Sequence, residues 1–216
     1  MKQTTSLFCI ALLALLIGCV ESHAPADVSE SHSLHSDYGD KIPGVYGLYV
    51  DAEKMKQDIK PSPPACRIAT YPVDERNTFT ESVYGIFENL FEEIRKVDAP
   101  IPATDLQTQG LDGMIEIEVK NLEVEMIIDS TFPTFWKGSF SEEAKITTSV
   151  QVIEHNGDTL KSIVEASDGY EMLGYVCKGL RDEIGKSVKD VTEKTVEYLG
   201  RHIANSKRSK DATPEN

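Results

Sequence analysis

Two long stretches alternate apolar and polar residues strictly enough to dictate strands, and one of them changes phase midway. From Met114 to Ile128 the apolar residues Ile115, Ile117 and Val119 stand on odd positions against Glu116, Glu118 and Lys120. Beyond Asn121 the apolar set Leu122, Val124, Met126 and Ile128 falls on even positions, with Glu123 and Glu125 between. Side chains in a strand repeat every two residues. A strand that keeps one face buried through such a slip must absorb an extra residue, which predicts a β-bulge near Asn121. Glu143–Glu154 alternates as well, with Ala144, Ile146, Thr148, Val150 and Val152 inward. His155-Asn156-Gly157-Asp158 follows, and Asn-Gly is a strong hairpin signal because both central residues of its turn take positive φ. Thr159–Ala166 is the returning partner.

Helical periodicity flanks this meander. Thr78-Phe79-Thr80-Glu81 has the form of a capping box. Val83, Ile86, Phe87, Leu90, Phe91 and Ile94 then recur on one helical face, and Pro100 and Pro102 stop the helix by or before Val97–Asp98. A closing helix is expected from Tyr175 to about Ile203, its stripe formed by Val176, Leu180, Ile184, Val188, Val191, Thr195, Tyr198, Leu199 and Ile203. Val45–Val50 suits an edge strand, and Cys66–Val73 is a second strand candidate after the turn-rich Lys60-Pro61-Ser62-Pro63-Pro64. Each strand of the meander has one polar face. The expected fold is therefore α/β (α+β): a two-layer sandwich, with a mixed, mainly antiparallel sheet and two amphipathic helices on one face. The other face, with Glu116, Glu118, Lys145, Thr147, Ser149 and Gln151, is left for solvent or a partner.

The N-terminus reads as a targeting signal. Lys2 precedes the apolar run Leu7–Ile17, too short for a membrane-spanning helix, which needs roughly 20 apolar residues. It ends in Leu16-Ile17-Gly18-Cys19, which looks like a bacterial lipobox, so Cys19 is the expected lipidation site. Val20, rather than Asp, favours the outer membrane facing the periplasm. This divides the chain into a signal peptide (1–18), a lipidated flexible tether (19–43), an α/β domain (44–204) and a disordered tail (205–216). The 216 residues carry 36 acidic and 22 basic side chains, a formal net charge of −14. That excess disfavours nucleic acid and electrostatic docking to anionic headgroups, leaving the lipid anchor as the route to the membrane.

The lipobox at Cys19, the helix around Ser82–Arg95 and the long strand after Gly113 together resemble the YajG-type bacterial lipoproteins. So do the Ala144–Thr159 hairpin with Asn156-Gly157 and the closing helix. More broadly they are similar to the LptE-like and PqiC-like small periplasmic lipoproteins. The resemblance covers about residues 66–203, while the strand at 45–50 and the Pro-rich segment depart from it. It implies a protein without catalytic residues or cofactors, acting as a structural plug, transport accessory or partner-binding module.

Four cysteines divide by position. Cys9 goes with the signal and Cys19 takes the lipid. Cys66 and Cys177, in an oxidising compartment, either pair or remain buried thiols. A bridge would contribute on the order of 4 kcal/mol in the chain-entropy account. Phe132, Phe135, Trp136 and Phe140 cluster between two strands, as an exposed aromatic wedge for a partner or as a cap on the core. His23, His32 and His35 lie on a Ser-rich tether with nothing to orient the rings, so no metal site is expected. Glu116, Glu118, Glu123 and Glu125 read as solvated decoration, and no nucleophile elbow, HExxH or phosphate loop occurs. The expectation is a non-catalytic outer-membrane lipoprotein whose domain binds an envelope protein or glycolipid. The alternative is a carrier or sensor of a small apolar ligand.

Overall fold

The computed structural model describes residues 40–60, 70–129, 138–174 and 180–211. The main sheet has five strands in the order β4-β1-β5-β6-β7. These are β1 (Ile42–Asp51), β4 (Phe91–Lys96), β5 (Gly113–Asp129), β6 (Gly138–Glu154) and β7 (Thr159–Gly174). β1 pairs parallel with both β4 and β5, and β5-β6-β7 is the expected antiparallel meander. Helices α1 (Arg76–Leu90) and α3 (Leu180–Asp211) pack on one face. The architecture is thus a mixed α/β two-layer sandwich. No helix among the described residues is long and apolar enough to cross a membrane.

The phase slip resolves as read. Val119 opposes Thr148 and Asn121 opposes Thr147, so Lys120 is the extra residue. Ile115, Ile117 and Val119 are buried before it and Leu122 after it. The bulge keeps the apolar side of the strand turned to the helices from Ile115 to Val124. The hairpin turn lies within the expected His155–Asp158 stretch but one residue earlier than Asn-Gly. The Gly157 amide bonds the Glu154 carbonyl at 2.9 Å, so His155 and Asn156 are the central residues. Gly157 follows them at φ 89°, a bulged closure rather than the two-residue Asn-Gly turn.

Four expectations are corrected. Val45–Val50 is no edge strand, because β1 lies between β4 and β5. The edge is β4, which periodicity had merged into the first helix. Phe91 and Ile94 do continue the helical spacing, but the backbone turns extended at Phe91 (φ −108°, ψ 155°). There it gains a parallel partner in β1, and the Phe91 ring packs on Tyr46 and Phe87 at 4.7 and 5.9 Å. Its other residues are mostly charged, as an exposed edge requires. Second, α1 starts at Arg76 with Glu75 as its N-cap, so Thr78 lies inside the first turn and no capping box forms. Third, the described part of the 66–73 candidate, β3 (Tyr71–Asp74), joins β2 (Lys56–Ile59) in a separate two-stranded ribbon. Fourth, Tyr198 leaves the buried stripe of α3, and the helix continues beyond Ile203 to Asp211.

A second, small core occupies one end of the opposite face. The segment after β4, including α2 (Ala103–Leu106), buries Ile101, Leu106, Leu111 and Met114 against Val45, Tyr49 and Ile153. The rest of that face is uncovered by any described element.

Candidate functional site

The uncovered face is a set of rungs across β5, β6 and β7. In order from the small core they are Glu116–Gln151–Lys161, Glu118–Ser149–Ile163, Asn121–Thr147–Glu165, Glu123–Lys145–Ser167 and Glu125–Glu143–Gly169. At two residues per rung the surface is roughly 27 Å long. The bulge is why its β5 column is polar throughout. Even residues of β5 face it before Lys120 and odd ones after.

Both charge signs occur in its middle. Lys145 meets Glu165 at 3.2 Å, Thr147 donates to Glu165 at 3.4 Å, and Lys120 pairs with Glu118. Partial burial raises the Glu116 carboxyl above its ordinary range, opposed by Lys161 and reinforced by Glu118. The far end is acidic instead. Glu125 stands directly opposite Glu143, an unfavourable like-charge pair. The third place in that rung is Gly169, where a Cβ would lie 2.6 Å from the Glu142 carbonyl oxygen. An open cleft of about 400 Å³ lies at this end, lined by residues including Glu125, Ser141, Glu143, Ser167, Gly169 and Tyr170.

Beneath this end, on the helix side, lies a polar layer that the sequence reading missed. Glu142 is 2% exposed, and neither carboxylate oxygen makes a hydrogen bond among the described residues. Burial pushes its pKa up to about 7; the nearby Ser187 hydroxyl pulls it down and the Glu183 charge pushes it further up. Alongside, the Tyr170 hydroxyl donates to Asp190, Lys186 covers the Tyr170 ring at 4.2 Å, and Lys194 holds Asp168 at 2.8 Å. Glu142 had a legible signal. It is an even position of β6, in phase with the inward Ala144 and Ile146.

Ser162 Oγ and His202 Nε2 lie 2.6 Å apart between β7 and α3. The spacing is that of a nucleophile and its base. Among the described residues no carboxylate bonds the other ring nitrogen. The contact joins helix to strand in the same way as the Asp168–Lys194 pair.

Most residues singled out from sequence lie outside the described residues: Cys19, Cys66, Cys177, Phe132, Phe135 and Trp136. Phe140 falls within β6, opposite Ile128 and Met172. Among the described residues no group of His, Cys, Asp and Glu is placed to hold a metal.

No family model and no curated protein matches the chain. Solved structures resemble it at low identity. A minor lipoprotein from Acinetobacter baumannii has TM-score 0.41 at 8% identity, over 76% of this chain and 94% of that one. A DUF330-family protein from Xanthomonas campestris has TM-score 0.43 at 9%, over 79% and 90%. The rare lipoprotein B of Shewanella oneidensis has TM-score 0.47 at 12%, over 77% and 98%. Likeness at this level transfers neither activity nor partner.

Proposed function

We propose that this chain is a non-catalytic lipoprotein, anchored through Cys19 to the outer membrane. Its periplasm-facing domain binds another envelope protein through the open face of β5-β6-β7. One observation carries this reading: a three-stranded surface left uncovered by described elements, while the reverse face is packed by two helices. Its mixed charges, with Glu118, Lys145, Lys161 and Glu165 on neighbouring rungs, suit a protein surface of alternating sign. An anionic glycolipid would call for a basic face, and the chain carries a net charge of −14. The carrier alternative gains no support from the described interior, where Phe79, Phe87, Ile117, Val188 and Leu199 fill the space between helices and sheet.

Two measurements test the parts separately. Cys19→Ser should move the protein from the membrane fraction to the soluble periplasmic fraction; unchanged membrane retention would remove the anchor. A photo-crosslinking residue at Gln151, on the open face, should give one discrete adduct in intact cells. The same residue at Glu197, on α3, should not. Equal labelling from both positions would remove the binding face.

A further inference from the structure

β7 is the outer strand of the sheet, and its far side carries no described strand. Such an edge is a template for another chain unless it is blunted. Two large apolar side chains are exposed among the described residues, Ile163 at 56% and Tyr198 at 43%, and both flank this edge. Ile163 stands on the open face. Tyr198 lies below, on the α3 row Asp190, Lys194, Tyr198 and His202. Three members of that row bond Tyr170, Asp168 and Ser162 in turn, which places Tyr198 alongside the strand between the last two contacts. The distal part of the edge is occupied, because Lys194 also reaches the Ser167 carbonyl at 3.5 Å. The stretch Thr159–Ala166 precedes that obstruction.

We propose that a second copy of this chain pairs with β7 antiparallel, about a two-fold axis at Ile163. Charge selects the copy and the register. In this alignment Ile163 meets the partner's Ile163, Lys161 meets the partner's Glu165, and Glu165 meets the partner's Lys161. Centring the axis on residue 161 or 165 would instead set Lys161 or Glu165 against itself, which is unfavourable. The pairing also extends rungs already present. Glu116–Gln151–Lys161 continues into the partner's Glu165, Thr147 and Asn121, and the two open faces become one surface. Self-complementarity across one strand is the requirement for an isologous two-fold contact.

The test uses the full-length protein in its native membranes. Directly opposed residues of an antiparallel pair lie about 5 Å apart at Cα, within the span of a disulfide. Under oxidation Ile163→Cys should therefore give a reducible dimer of twice the chain mass, above the background of the unchanged protein. Glu118→Cys, two strands inward on the same face, should not. In the Ile163→Cys chain, Lys161→Glu or Glu165→Lys alone should reduce the dimer several-fold, and both together should restore it. Failure of Ile163→Cys to crosslink, or of the double reversal to rescue, would overturn the proposal. So would a disulfide adduct of the Ile163→Cys chain with a protein of different mass, which would assign the edge to a foreign strand.

Discussion

Glu142 faces the core, where its charged form makes no hydrogen bond among the described residues. With its pKa raised to about 7 from an ordinary 4.5, folding favours the protonated form. Its effect on stability is therefore most favourable below pH 4.5, worsens as pH rises to about 7, and is constant above. Glu142→Gln keeps the shape without the charge. It should stabilise the domain at pH 8 by about 1–3 kcal/mol, with the gain vanishing near pH 4.5, as read by urea unfolding at the two pH values. An equal gain at both would show that charge burial is not the cause. Gly113 makes a second prediction at this scale. A Cβ there would sit 2.5 and 2.8 Å from the Tyr46 ring and 3.0 Å from the Ile153 carbonyl oxygen. Gly113→Ala should cost about 1–3 kcal/mol, because the ring is fixed by Phe91 and cannot yield freely. Thermal unfolding at unchanged midpoint would contradict it. Neither residue was singled out from sequence. A lone carboxylate on the inward phase of a strand was visible, but the lack of a hydrogen bond to it was not.

At the scale of elements, the bulge at Lys120 and the α1–β4 junction show two different sources of information. The bulge is written in the pattern, because burial on both sides of the slip fixes the phase of each half-strand. Deleting Lys120 should force Leu122 and Val124 toward the open face or carry charged neighbours inward. The expected result is loss of cooperative unfolding by circular dichroism. Lys120→Ala should change stability by no more than about 0.5 kcal/mol, since its pair with Glu118 is exposed. A stable deletion variant would mean that the strand tolerates the other register. The junction carried no such signal. No glycine or proline lies between Gly85 and Pro100, and the apolar spacing runs through both Leu90 and Phe91. What ends the helix is a parallel edge offered by β1, residues distant in sequence and adjacent only after folding.

For the whole molecule, α3 is the clamp that spans the sheet. Near its C-terminal end Lys207 pairs with Glu154, donates to the Tyr46 hydroxyl at 2.9 Å, and lies 4.7 Å from the centre of that ring. This joins the last helix to the β6–β7 turn and to β1. Truncation after Asn205 should therefore lower stability by about 1–3 kcal/mol, read by urea unfolding, and Lys207→Met should account for most of it. A silent truncation would return this segment to the role of a tail. The sequence by itself determined the meander, its phase slip, the hairpin to within one residue and the apolar faces of the two amphipathic helices, because each follows from which side chains along one element avoid water. It also carries Leu16-Ile17-Gly18-Cys19, the pattern behind the expected lipidation, which needs no fold to be read. Only the tertiary structure decided that β1 is internal, that the helix ends at Leu90, that Glu142 is buried without a hydrogen bond among the described residues, and that Ile163 and Tyr198 flank the same outer strand. Those depend on which distant elements meet, and period two or 3.6 records the face of an element without naming what packs against it.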